Sequence, residues 1–119
     1  MTTRLRVAVV QAGAVPFDVE GSLQKAIDLA SDAAAQGARL TVFPEAFISV
    51  YPKGLDFGAR LGMRFPEGRE DFRRYWASAV EVPGPVTHRL AAAARENDLY
   101  LIIGVIEREG GTLYCTALF

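Results

Sequence analysis

The chain has 119 residues, of which 50% are hydrophobic and 23% charged, a composition typical of a globular domain. Thirteen basic and fourteen acidic residues give a formal net charge of −1. This balance argues against nucleic acid or an anionic membrane as a partner. The sequence has neither an apolar segment of transmembrane length nor a signal-peptide pattern. Its one cysteine, Cys115, excludes an internal disulfide, so we expect a reducing, cytoplasmic location.

The first part of the chain has the pattern of a βαβ unit. Residues 4–11 are β-branched and apolar enough for a buried strand, and residues 40–43 predict a second strand that Pro44 ends. Between them, apolar residues recur at helical spacing, with Asp18 as the expected N-cap and Gly37 as the residue that ends the helix. A strand, a helix and a strand in this order predict two parallel strands.

The middle of the chain predicts a loop followed by a helix. Residues 48–68 combine glycines and prolines with aromatic residues, which is typical of a long ordered loop with a functional role. An aromatic and apolar stripe over residues 72–80 then indicates an amphipathic helix, and we expect this stripe to serve helix packing and not ligand binding.

The last part predicts a helix and a hairpin. Pro85 suits the first turn of a helix that Asn97-Asp98 ends. Residues 99–106 are an almost unbroken apolar run, as in a strand covered on both faces. A turn over residues 107–111 leads into a final strand at residues 112–119. Without a composition shift along the chain, we expect one α/β domain.

Glu45 is the candidate functional residue. It follows the second strand directly, at the edge where open α/β sheets bind their ligands. Because its neighbours are apolar, we expect a poorly solvated carboxylate that accepts a proton readily near neutral pH. On the residues alone, the alternative is a glutamate that opens a loop and either faces water or caps a helix.

The segment from Gly37 to Ile48, with its Phe-Pro-Glu-Ala-Phe core, resembles the glutamate motif of the nitrilase family, in the carbon-nitrogen hydrolase superfamily. Tyr51-Pro52-Lys53-Gly54 extends that resemblance. Val82 to Thr87 is similar to the turn into the third helix of the family, and Gly104 to Tyr114 to the hairpin that follows. The similarity thus spans nearly the whole chain.

The resemblance implies an α/β fold of the α-β-β-α sandwich type, present here in part. It implies that residues 1–119 are the N-terminal part of a single carbon-nitrogen hydrolase domain. It also implies a catalytic set of glutamate, lysine and cysteine that needs no cofactor or metal. Glu45 takes the glutamate position as general base, and the lysine and the nucleophilic cysteine are expected beyond Phe119. Family members associate, so we expect a homo-oligomer when the protein is complete.

Four other residues are candidates for a role in the site. We expect Cys115 to be a buried core thiol and not the nucleophile, because its sequence context offers neither a helix N-terminus nor a cation. We expect His88 to be a surface histidine and Lys53 an exposed loop lysine. Tyr51 is the predicted substrate-binding residue.

The leading hypothesis is that the complete protein hydrolyses a small-molecule nitrile to a carboxylic acid and ammonia through a cysteine thioimidate. The 119-residue chain alone is expected to be inactive. An amidase or carbamoylase of the same superfamily is one alternative. A non-catalytic fragment that serves as a binding or assembly module is the other.

Overall fold

The computed structural model describes residues 2–59 and 64–119. Its elements are β1 (Val7–Val9), α1 (Val19–Ala35), β2 (Leu40–Val42), α2 (Pro66–Ala77), α3 (Pro85–Glu96), β3 (Tyr100–Glu109) and β4 (Thr112–Leu118). The strands form one sheet in the order β1-β2-β3-β4. The pairs β1–β2 and β2–β3 are parallel, and β3–β4 is antiparallel. The predicted α/β fold is confirmed.

The predicted βαβ unit is present. Asp18 caps α1, since its side chain accepts a hydrogen bond of 2.8 Å from the backbone N–H of Gly21. Gly37 follows the helix with a φ of +88°, a left-handed conformation that glycine adopts without a steric penalty. β1 is shorter than residues 4–11, because its partner β2 has only three residues.

The helices α1 and α3 pack together on one face of the sheet. Alternate residues of β3 point into this core, because side chains along a strand alternate between faces. The core side chains include Leu23, Ala26, Ala30, Leu90, Leu101, Ile103 and Val105. The opposite face is open at one end, where Val9 is 72% and Tyr100 79% exposed. The expectation that β3 is covered on both faces is therefore wrong for its first residues.

One edge of β3 pairs with three successive segments. β2 bonds to its first residues, then Ile48 bridges to Val105, and Val80 bridges to Glu107. The predicted helix over residues 72–80 therefore ends early, at Ala77, because Val80 joins the sheet. The turn into β4 is also tighter than predicted, with only Gly110 and Gly111 outside the strands.

The predicted loop packs against α2 where it is described; its residues 60–63 lie outside the described part of the chain. Phe57 stacks on Tyr75 and meets Phe72 edge-on, each with ring centroids 5.5 Å apart. The loop backbone also meets the start of α2, where a Cβ on Gly68 would lie 2.0 Å from the amide nitrogen of Gly58. The aromatic stripe is thus a packing surface, as predicted.

Candidate active site

Glu45 lies in a tight turn between β2 and the bridge at Ile48. Ala46 is buried and has a φ of +50°, which is uncommon for a residue other than glycine and occurs often at functional sites. The turn directs Ala46 inward, and the Glu45 side chain is exposed. The expectation of a poorly solvated carboxylate is wrong for the described residues, because the apolar neighbours of Glu45 pack into the core beneath it and do not cover it.

Gly104 of β3 supports this turn from below. A Cβ at this position would lie 2.5 Å from the nitrogen of Ala46, 2.6 Å from the Cα of Glu45 and 2.7 Å from the carbonyl oxygen of Pro44. Its N–H donates to the Pro44 carbonyl at 3.2 Å, and its carbonyl accepts from the Ile48 N–H at 3.2 Å. Only a residue without a side chain permits this approach, so Gly104 sets the height of Glu45 above the sheet.

Cys115 lies beside Glu45, and the expectation of a buried core thiol is wrong. The residue is exposed, and its thiol donates to Oε1 of Glu45 at 3.0 Å. Cys115 pairs with Ile106 across the hairpin, so its side chain projects from the same face as those of Ile106 and Leu113. The main core fills the other face of β3. Cys115 therefore points away from that core, to the face on which Glu45 lies.

The electrostatics of the site keep the thiol protonated. The hydrogen bond to Glu45 raises the pKa of Cys115, and burial and the negative charge of the carboxylate raise it further. The half-buried phenol of Tyr75 belongs to the same group of side chains. Burial raises the pKa of Tyr75, and the charges of Cys115 and Glu45 add to that effect. The Glu45 carboxylate and the Cys115 thiol are thus in contact, and the Tyr75 side chain packs nearby against the small cluster formed by Ala46, Ala79 and Ile106.

The remaining predicted residues lie elsewhere. Tyr51 follows the Glu45 turn with 58% of its surface exposed, and its role in substrate binding stays a prediction. Lys53 is an exposed residue of the same loop, as expected. His88 is exposed on α3, which confirms a surface histidine. It lines an apolar cleft between α3 and the ends of β3 and β4.

Sequence reasoning missed the positions of Cys115 and Tyr75 next to Glu45. A usable signal was present for Cys115, because a two-residue turn at Gly110-Gly111 fixes the register of the hairpin and hence the face of each side chain. Gly104 was a second signal, since a glycine inside an apolar strand often marks the close approach of another backbone. Tyr75 carried no such signal, because its place in a helical stripe indicates packing alone.

Across residues 2–59 and 64–119, no three histidine, cysteine, aspartate or glutamate side chains come together as a metal site would require. The helices of the same residues are too short or too polar to cross a membrane.

The chain belongs to the carbon-nitrogen hydrolase family, whose sequence model matches residues 6–119. It is 59% identical over 117 residues to an aliphatic nitrilase from Sinorhizobium fredii (strain HH103), a match that covers 98% of this chain and 38% of the relative. It is 52% identical over 118 residues to a bifunctional nitrilase/nitrile hydratase from Nicotiana tabacum, covering 99% of this chain and 34% of that protein. The chain therefore spans little more than a third of the length of these relatives.

The fold is also similar to that of an amidase from Nesterenkonia sp. known from its crystal structure. The two superpose with a TM-score of 0.62 and 25% sequence identity, over 95% of this chain and 36% of the amidase. The fold of this chain thus matches about a third of a protein named as an amidase.

Proposed function

We propose that this chain is the N-terminal part of an enzyme that hydrolyses a nitrile to a carboxylic acid and ammonia, with Glu45 as general base. The observation that carries the proposal is the turn after β2, which holds a carboxylate at the C-terminal end of a parallel strand with its backbone fixed over Gly104. The 59% identity to an aliphatic nitrilase supports a nitrile as substrate.

In the proposed reaction, Glu45 accepts the proton of a cysteine thiol, and the thiolate attacks the nitrile carbon. A carbon–sulfur bond forms as one π bond of the nitrile breaks, and the nitrogen takes a proton to give a thioimidate. Water adds and ammonia leaves, which yields a thioester. A second water hydrolyses the thioester to the acid and restores the thiol. The lysine stabilises the developing negative charge, and we propose that it and the nucleophile lie beyond Phe119.

The cellular location, the oligomeric state and the substrate pocket of the complete enzyme are part of the same proposal. The exposed thiol of Cys115 suits a reducing compartment, so we propose a cytoplasmic enzyme. We also propose that the complete protein is a homo-oligomer, as the family resemblance implies, and that Tyr51 borders the substrate pocket.

The test is steady-state ammonia release by the complete protein on a nitrile and on the corresponding amide. Glu45→Gln keeps the volume of the side chain and removes the proton acceptor, so we expect kcat/KM to fall on the order of a hundred- to ten-thousand-fold. Glu96→Gln makes the same chemical change at an exposed position on α3 and is expected to leave the rate unchanged. Near-native activity of folded Glu45→Gln would remove Glu45 from the mechanism.

An amidase or carbamoylase is the second candidate, and the likeness to the Nesterenkonia amidase favours it. The two activities share the proposed three catalytic residues, so the Glu45→Gln result does not separate them. The ratio of kcat/KM on the paired nitrile and amide does. An amide turned over faster than its nitrile would replace nitrilase with amidase as the activity.

A further inference from the structure

The thiol of Cys115 donates a hydrogen bond to one carboxylate oxygen of Glu45, the proposed general base. Cys115 and Glu45 are 70 positions apart in the chain, yet the hairpin register and the turn over Gly104 bring Sγ to 3.0 Å from Oε1. The backbone positions of both residues are set by strand pairing and by the close approach at Gly104. The sheet therefore places the Cys115 thiol within hydrogen-bond reach of the Glu45 carboxylate.

In the pair of Cys115 and Glu45, the thiol is the hydrogen-bond donor and the carboxylate is the acceptor. The adjacent carboxylate and partial burial raise the pKa of Cys115, so the thiol keeps its proton near neutral pH. A nucleophilic cysteine needs the opposite setting, with a cation or a helix N-terminus that stabilises the thiolate. Cys115 is therefore a donor, and a carboxylate has two oxygens, each able to accept a hydrogen bond.

We propose that Cys115 is a positioning residue, whose S–H holds Oε1 of Glu45 and thereby presents Oε2 to the thiol from which Glu45 removes a proton. This inference rests on the proposed function of Glu45. The carboxylate is exposed and lies at the end of a flexible side chain, so a fixed partner limits the rotamers that it samples. Tyr75 packs near the same pair, against the cluster of Ala46, Ala79 and Ile106.

Kinetics of the complete protein test the positioning role. Cys115→Ala removes the donor, and we expect kcat to fall roughly three- to thirtyfold with little change in KM, since a thiol is a weak donor and water competes at an exposed site. Cys115→Ser restores a donor of similar size and should recover most of that loss. Tyr114→Phe removes a hydroxyl from the next residue on β4, on the opposite face, and serves as the matched control.

A second measurement probes the contact without relying on catalysis. The rate of alkylation of the peptide containing Cys115, followed by mass spectrometry against pH, reports the pKa of this thiol alone. In Glu45→Gln the negative charge is gone, so the pKa of Cys115 should fall towards the ordinary thiol value and alkylation at a fixed mildly alkaline pH should become several-fold faster.

The outcomes separate the two proposals. A loss in Cys115→Ala with rescue by Cys115→Ser, together with faster alkylation in Glu45→Gln, supports the positioning role. Wild-type kcat in folded Cys115→Ala, or a Cys115→Ser variant as impaired as Cys115→Ala, overturns it. Alkylation of Cys115 that is indifferent to Glu45→Gln also overturns it, because the contact is then absent. Full activity in folded Glu45→Gln instead overturns the proposed function, whatever the alkylation shows.

Discussion

At the scale of single residues, Gly104 and Ala46 determine the backbone position of Glu45. Ala46 takes the left-handed conformation that turns the chain back to the sheet, and Gly104 leaves the space into which that turn settles. The three atoms nearest to a Cβ on Gly104 all belong to backbone. Backbone moves only if the turn itself moves, so the position of Glu45 depends directly on this glycine.

Gly104→Ala is therefore expected to displace Glu45. Alanine normally suits a strand better than glycine, so in open space the change would stabilise the protein. Here the overlap should cost about 1–3 kcal/mol of unfolding free energy and lower kcat roughly tenfold to a hundredfold through misplacement of the base. Urea denaturation and ammonia release measure the two effects in the complete protein.

Gly13→Ala is the matched control for this change, since a Cβ on Gly13 would meet nothing within 4 Å. The control should keep both stability and kcat. If Gly104→Ala keeps the stability and kcat of Gly13→Ala, the turn over β3 can shift at little cost in free energy. Gly104 then does not set the position of Glu45.

At the scale of elements, the loop after the Glu45 turn is joined to α2 by a contact that leaves no space for side chains. Gly68 lies in the first turn of α2, and a Cβ there would come within 2.0 Å of Gly58 and 2.1 Å of Phe57. The Phe57 ring then stacks on Tyr75 of the same helix. Because Tyr75 also packs against the cluster that contains Ala46, the residue after Glu45, this loop and the candidate site share one helix.

Gly68→Ala tests this contact. Replacing glycine by alanine within a helix usually stabilises it by about 0.5–1 kcal/mol. We expect the reverse, a loss of about 1–3 kcal/mol of unfolding free energy. The added methyl group would collide with backbone atoms of the loop, which cannot rotate away as a side chain can. Glu67→Ala, at the exposed preceding position, provides the control for helix propensity. Thermal melts that show Gly68→Ala to be stabilised would mean that the loop does not rest on α2.

At the scale of the whole molecule, one face of the sheet is covered and the other is open at the β1 end. The helices α1 and α3 bury the first, and an ion pair between Arg89 and Glu20 links them at the surface. On the second, Val7 is 51% and Val9 72% exposed in a strand at the edge of the sheet. An apolar face next to an unpaired strand edge favours association with other chains.

We expect the 119-residue chain on its own to self-associate through this face and to melt without sharp cooperativity. Val9→Lys places a charge on the open face and should raise the monomer fraction at least severalfold. Ser31→Lys adds the same charge on an exposed position of α1 and should not. Analytical ultracentrifugation measures both. A soluble wild-type monomer with a sharp cooperative melt would contradict the expectation.

The sequence by itself determined the order and type of most elements, because their signals are local. The cap at Asp18, the left-handed Gly37 and the opening of α3 at Pro85 each depend on residues a few positions apart. The family motif around Glu45 likewise lies in one short segment. Physical chemistry within a few residues was sufficient for these features.

Tertiary structure alone decided the surroundings of Glu45. Its exposure follows from the turn that sends Ala46 inward, although the apolar sequence around it had indicated burial. The contact with Cys115 depends on strand pairing between residues 70 positions apart, and a shift of one residue in that register would place the thiol on the opposite face. The register of such long-range pairing depends on contacts between several distant strands, so no single segment of the sequence encodes it.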